Sequence, residues 1–280
     1  MAMSFLLPTP QILQLEVTND CNMRCGICMR STSKRDVGYL KLEDYERLPV
    51  EEFKEVAFHG WGEPLLHPDL FRMVDMASRR GVKTSVITNA TLLDRRMDEL
   101  FESKLDSIAF GIYTLRNRDG VVENVRRFAI ERERRGRRIE AWVDITILPW
   151  NVDEIPRIVS LAGEACLDGV VLHKLFSLHN PSIGVLSSAD VKNACEAARD
   201  AAEEYGLKVY CPPPRTRPCR VALSTLFVSW DCRAYPCCFL CEMGVGHGNV
   251  LNDGYELIVR KHKGFLRGMR ESAVCRECPW

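Results

Sequence analysis

Apolar and polar residues alternate along residues 11–18 (QILQLEVT), which predicts a strand. Residues 54–59, 82–88, 105–113, 138–148 and 168–176 predict five more strands. Helical spacing falls between them, at 41–48, about 68–80, 92–103, 119–135, 152–164 and 187–205. Gly81 lies where a helix C-cap belongs. Strands that alternate with helices imply βαβ units and a parallel sheet, and right-handed crossovers curl such a sheet one way. The predicted fold is therefore α/β, a partial (β/α)6 barrel of the TIM type. In such barrels the chemistry sits at the C-terminal ends of the strands.

The alternation stops at 211–219 (CPPPRTRPC), where three consecutive prolines favour extended polyproline geometry. We place a boundary near 206–218, with a core over residues 1–206 and a small cysteine-rich α+β unit over 207–280. From residue 219 onward the tail carries seven cysteines, and a unit of that size needs a metal or another staple.

Composition narrows the possible functions. Apolar residues make up 46% and charged residues 27%, an ordinary balance for a soluble chain of 280 residues. Formal net charge is zero, so no global field draws the chain to nucleic acid or an anionic membrane. No apolar run approaches the ~20 residues of a membrane span, and the opening MAMSFLLPTP lacks the pattern of a secretory signal. Thirteen cysteines without such a signal point to metal ligands in a reducing, cytoplasmic compartment rather than to a disulfide scaffold. The arginines of 126–138 are interleaved with Glu131 and Glu133 and read as a solvated helix face, with RNA binding as the lesser alternative.

Cys21, Cys25 and Cys28 stand within eight residues directly after the first strand. Three thiolates in one tight loop suit a soft metal centre and leave one coordination position open. A zinc knuckle or a disulfide loop is the alternative. The C-x3-C-x2-C spacing, with the lead-in Gln14–Asn22, resembles the cluster loop of the radical S-adenosylmethionine (SAM) superfamily. Ile27 stands where that family usually has an aromatic residue. Gly62-Glu63-Pro64 is similar to the family's GGEP turn, which implies a contact with the methionine end of SAM; Trp61 reads as packing. Thr88 and Asn89 resemble the Thr-Asn segment after the third strand and imply a further SAM contact. The fourth strand ends in Gly111-Ile112-Tyr113 rather than the family's Ser-x-Asp, so no serine contact to the ribose carries over. Asp144 and Asn151 are either ribose or substrate contacts or internal hydrogen bonds.

In the tail, Trp230–Cys237 resembles the hairpin of SPASM and twitch domains, with Cys232 in place of the usual glycine. That resemblance implies an auxiliary [4Fe–4S] cluster held by Cys219, Cys237, Cys275 and Cys278, with a four-cysteine zinc site as the alternative. Cys232, Cys238 and Cys241 remain as possible substitutes. No cysteine follows Cys278, which favours the shorter twitch form, similar to that of 2-deoxy-scyllo-inosamine dehydrogenase.

The resemblance implies reductive cleavage of SAM to a 5′-deoxyadenosyl radical, hydrogen abstraction from a substrate, and a reductant such as flavodoxin or ferredoxin. An auxiliary cluster that accepts an electron makes oxidation of a small molecule the leading expectation. His173, Lys174 and Tyr113 are the candidate bases. A peptide or protein maturase is the second reading. A first strand near residue 11 leaves no room for an N-terminal peptide-recognition domain, which weighs against leader-guided peptides. A non-catalytic electron carrier or zinc-stabilised binding protein is a third.

Overall fold

A computed structural model describes residues 7–180, 182–216 and 218–278. Residues 1–6 and Trp280, which the readings of the N-terminus and of the short tail involve, lie outside the described residues.

The barrel half follows the predicted alternation. Strands β1 (Ile12–Leu15), β2 (Glu55–Phe58), β3 (Lys83–Thr88), β4 (Ser107–Gly111), β5 (Glu140–Ile147) and β6 (Gly169–Lys174) are parallel neighbours. Helices α1 (Leu42–Glu46), α2 (Leu70–Arg79), α3 (Leu93–Glu102), α4 (Asp119–Arg134), α5 (Ile155–Glu164) and α6 (Ser188–Glu203) separate or follow them. Gly81 takes φ +76° after α2, the left-handed conformation that a C-cap glycine supplies. Ser187 and Asp190 form a capping box at the start of α6.

Successive side chains on a strand point to opposite faces. One set, including Leu13, Leu15, Phe58, Phe110, Val143 and Leu172, is at most 2% exposed and packs under the helices. The other set faces the concave side. Register aligns Gln14 with Ala57, Ala57 with Ser85, and Gly111 with Asp144 on that side. Burial of the first set drives the fold, at roughly 25 cal/mol per Å² of apolar surface. The second set includes the polar Gln14, Ser85, Asp144 and His173, which face the barrel's lumen.

The tail departs from the expected pattern. A seventh parallel strand, β7 (Lys208–Tyr210), pairs with β6 inside the stretch read as a boundary. Helix α7 (Arg220–Ser224) then leads into β8 (Thr225–Val228), which pairs in parallel with β1 at the opposite edge. Strands β9 (Arg233–Tyr235) and β10 (Gly248–Asn249) continue outward as antiparallel partners, giving a ten-stranded sheet. Helices α8 (Cys238–Cys241), α9 (Val250–Asp253), α10 (Tyr255–Gly268) and α11 (Ala273–Glu277) complete the tail. Leu226, Val228, Cys232 and Ile258 belong to the same buried cluster as the barrel core. The tail packs against the barrel's core and does not rely on a metal alone.

The β8–β9 connection accounts for Cys232. Its N–H donates to Ser229 O at 2.8 Å, and its φ is +63°, where glycine is normally favoured. No helix of the described residues is long and apolar enough to cross a membrane. The arginines of α4 are largely paired: Arg126 with Glu164, Arg132 with Asp168, and Arg134 with Glu131.

Candidate active site and two thiol clusters

The cluster loop leaves β1 at its C-terminal end and is tied down by backbone contacts. Glu63 N–H donates to Asp20 O at 2.7 Å. A Cβ on Gly62 would stand 2.1 Å from Thr18 O and 2.6 Å from Asp20 O, so only glycine lets the two segments touch. The Glu63 carboxylate is buried and accepts from Leu65 N, the Thr88 hydroxyl and Asn89 N, at 2.9, 2.7 and 2.7 Å. Burial pushes its pKa up, and those three donors oppose the shift. Pro64 opens the short helical turn that follows. Gly62, Glu63, Pro64, Thr88 and Asn89 thus form one connected shelf beside the loop.

The three loop thiols influence one another's charge. Tyr113 Oη donates to Cys25 Sγ at 2.9 Å, and Asn89 Nδ2 lies 3.7 Å from Cys21 Sγ. Burial pushes the Cys28 thiol up to about 11, against the backbone N–H of Arg30. A thiol so placed gives up its proton to a bound cation. Tyr113, a candidate base, is therefore tied to the cluster loop, and burial followed by the Cys25 contact raises its pKa. Among the described residues no three His, Cys, Asp or Glu side chains close on a single metal ion.

The other candidates separate. Asp144 and His173 meet on the concave face, with Asp144 Oδ2 2.8 Å from His173 Nε2 and side chains 19% and 29% exposed. Burial disfavours a charged His173, but the Asp144 charge and hydrogen bond outweigh it and raise its pKa. Lys174 does not join them. It aligns with Ile147 on the helix-covered face, because adjacent strand residues point opposite ways. Asn151 resolves to internal hydrogen bonding. Its Nδ2 donates to Tyr113 O and Thr146 O, and its Oδ1 accepts from Leu148 N, with the side chain fully buried.

In the tail, Cys219, Cys237, Cys275 and Cys278 line one small cavity together with Ala222, Phe239, Leu240 and Phe265. Burial pushes Cys237 up to about 12, while the N–H groups of Leu240 and Phe239 oppose it. The remaining candidates point elsewhere. Cys232 lies in the barrel core, and Cys241 packs with Phe227 and Tyr235. Cys238 packs against that same group. All thirteen cysteines are free thiols.

Several functional neighbours were not legible beforehand. Gln14 Nε2 lies 3.2 Å from His59 Nδ1. Arg35 holds buried Glu16 through two bonds of 2.6 and 2.9 Å and reaches Glu242 at 2.7 Å, joining barrel to tail. Phe239 stacks on Phe176 at 4.1 Å and approaches Trp61 at 5.7 Å, so the start of α8 spans the lumen's mouth. The Trp61 indole N–H donates to Cys238 O. The only hint of these was strand parity, which puts Gln14 and His59 on the same side as Ala57.

The family model described as the radical SAM superfamily matches residues 15–162, just over half of the chain. The chain belongs to the radical SAM superfamily. Proteins of this superfamily use a [4Fe–4S] cluster and SAM, and the loop thiols fit the cluster by donor type and position. The "Tungsten-containing aldehyde ferredoxin oxidoreductase cofactor-modifying protein" of Pyrococcus furiosus is 28% identical over 186 residues, 59% of this chain and 52% of that protein. The chain thus spans about half the length of that relative. Among solved structures, Streptococcus suis SuiB bound to precursor peptide SuiA is similar with a TM-score of 0.76 and 16% identity, covering 96% of this chain and 70% of SuiB. BtrN in complex with AdoMet and 2-DOIA has a TM-score of 0.57 and 17% identity, covering 98% and 94%. At these identities the likenesses show the radical SAM α/β partial-barrel fold.

Proposed function

We propose that this radical SAM enzyme oxidises a small molecule, with residues 1–206 as the catalytic barrel and 207–280 as the unit that holds an auxiliary [4Fe–4S] cluster. The observation that carries this reading is the cavity shared by Cys219, Cys237, Cys275 and Cys278. Four thiols drawn from three separate segments line one apolar cavity, a ligand set suited to a closed cluster. Together, the loop cluster and SAM would supply a 5′-deoxyadenosyl radical, a strong hydrogen-atom abstractor.

This chain's own residues do the rest. Cys21, Cys25 and Cys28 hold the loop cluster. Gly62, Glu63 and Pro64 shape the shelf for the methionine end of SAM, and Thr88 and Asn89 extend it. Asp144 orients His173 and leaves the pair ready to accept a substrate proton within the lumen. Phe176 and Phe239 cover the mouth and exclude water. A low-potential reductant such as flavodoxin or ferredoxin, in a reducing cytoplasm, completes the reading.

The test is anaerobic reconstitution, reduction with dithionite and a search for 5′-deoxyadenosine. Iron should approach about eight per chain for two four-iron clusters. A carrier protein would form no 5′-deoxyadenosine, and a zinc-filled tail would hold about four irons. Likeness to SuiB favours a second reading, a peptide or protein maturase. Mass spectrometry of products from peptide and small-molecule pools separates the two.

A further inference from the structure

The segment after β4 carries Tyr113 to the cluster loop and holds it there from several sides. Ile112 N–H donates to Asp144 O at 3.0 Å, so pairing with β5 runs one residue past the strand. Tyr113 O accepts from the buried Asn151 Nδ2 at 2.7 Å. Glu154, in the same turn as Asn151, accepts from the Thr114 hydroxyl and Leu115 N at 2.9 and 3.0 Å. The Tyr113 ring meets Trp150 edge-on at 5.9 Å, and the Arg118 guanidinium lies 5.7 Å from the ring's centre. Backbone and ring are thus both fixed.

The hydroxyl has two neighbours. Arg118 Nη2 lies 3.4 Å from Tyr113 Oη, and Cys25 Sγ lies 2.9 Å from it. Arginine can only donate, whereas a phenol has one proton and two lone pairs. Tyr113 Oη therefore accepts from Arg118, and its own proton points to the sulfur. A phenol with an ordinary pKa of about 10 keeps that proton at neutral pH. Arg118 Nη1 also reaches Met23 Sδ at 3.3 Å, so one guanidinium ties the phenol to the cluster loop. Hydrogen bonds to ligand sulfurs are among the levers that set the potential of an iron–sulfur centre.

We propose that Tyr113 sets the reduction potential of the loop cluster through its O–H···Sγ bond to Cys25, with Arg118 as the positioning residue that turns the proton toward the sulfur. Reduction adds one negative charge, so a donor at Cys25 favours the reduced state and raises the potential. One electron passes from the low-potential reductant to the loop cluster; no bond forms or breaks, and the proton stays on Tyr113 Oη. Tyr113 thereby leaves the set of candidate bases, because its proton is committed to sulfur. The inference rests on the loop cluster that the superfamily uses, and on neither the substrate nor the tail.

The test uses the full chain, reconstituted without oxygen, poised with mediators at a series of fixed potentials and read by low-temperature EPR. The loop cluster is the signal that shifts when SAM is added. Tyr113→Phe keeps the ring, so iron per chain should be unchanged. Its ratio of reduced to oxidised loop cluster at a fixed potential should fall about tenfold, a shift of about 59 mV for a one-electron couple. Arg118→Leu should lower the ratio about threefold, and the double variant no further than Tyr113→Phe alone, since a residue that acts through another adds nothing once that other is gone. Pulsed ENDOR in H2O and D2O should show an exchangeable proton coupled to the cluster that Tyr113→Phe removes. A ratio within about twofold of the parent in fully loaded Tyr113→Phe overturns the role of Tyr113. Additive effects in the double variant overturn the positioning role of Arg118. If Tyr113→Phe fails to retain the loop cluster, Arg118→Leu decides: a lowered ratio with a weakened proton coupling supports the assignment, and an unchanged ratio overturns it. An unaltered protein with no SAM-responsive signal overturns the proposal together with the loop cluster itself, and its iron count tells that failure apart from the others.

Discussion

The two thiol groups are built in opposite ways. Cys21, Cys25 and Cys28 lie within eight residues, and the chain needs only to turn for them to converge. Their surroundings are polar: the Tyr113 hydroxyl, the Asn89 amide and exposed loop residues. Cys219, Cys237, Cys275 and Cys278 span sixty residues and converge only because α7, α8, α10 and α11 pack together. Their cavity is lined largely by apolar side chains. The contrast teaches that thiols close in sequence are brought together by one loop and supported by its hydrogen bonds, whereas thiols far apart in sequence meet only through tertiary packing. The first group should therefore fail through its ligands and its shelf, and the second through its packing.

The largest expected effect comes from the loop. Replacing Cys21, Cys25 and Cys28 together by Ala should abolish 5′-deoxyadenosine formation and lower iron from about eight to about four per chain. Chromatography and iron analysis on the same sample check both. Loss of all iron instead would mean that the two groups do not fill independently.

Next comes Gly62→Ala, which sets a methyl group against the backbone oxygens of Thr18 and Asp20. Backbone cannot yield as a side-chain tip does, so we expect a stability loss of about 3 kcal/mol and poor retention of the loop cluster. Urea unfolding and iron content measure the two effects. A stability change under about 1 kcal/mol would refute the shelf as the loop's anchor.

In the tail, Cys237→Ser should remove about four irons yet leave uncoupled SAM cleavage within several-fold of the parent. Complete loss of 5′-deoxyadenosine in this variant would erase the proposed division of labour.

The smallest effect is a pH dependence in the tail. His247 and His262 are buried and 3.2 Å apart, and His262 Nε2 donates to Ala222 O beside the thiol cavity. Burial, helped by the neighbouring His262, lowers His247 to about 3, and burial lowers His262 despite its carbonyl partner. Folded pKa values below the unfolded value of 6.5 mean that the unfolded chain binds protons first. The stabilising contribution is complete above pH 6.5 and drains away as pH falls toward 3. His247→Gln should flatten the acid slope of unfolding free energy by about 1.4 kcal/mol per pH unit. An unchanged slope in urea melts between about pH 6.5 and about pH 4.5 would show that the pair does not control acid stability.

Several features follow from local sequence. The periodic strands and helices of the barrel, the loop thiols and the GWGEP turn depend on neighbours in the chain, and alternation or spacing reveals them. Cys232 was visible as an oddity because it stands at a glycine position, and its positive φ explains why. The strand–helix order of the barrel and the spacing of its three loop thiols were thus determined by the chain itself, whereas the glycine at position 62 answers to Thr18 and Asp20, distant in the chain. Only the tertiary structure decided that β8 would extend the barrel sheet beside β1. It also decided that Asp144 would meet His173, and that Gln14 would meet His59. Those outcomes turn on register, strand parity and the docking of segments far apart in the chain. Such contacts depend on surfaces that exist only once the core has closed, and no local pattern encodes them.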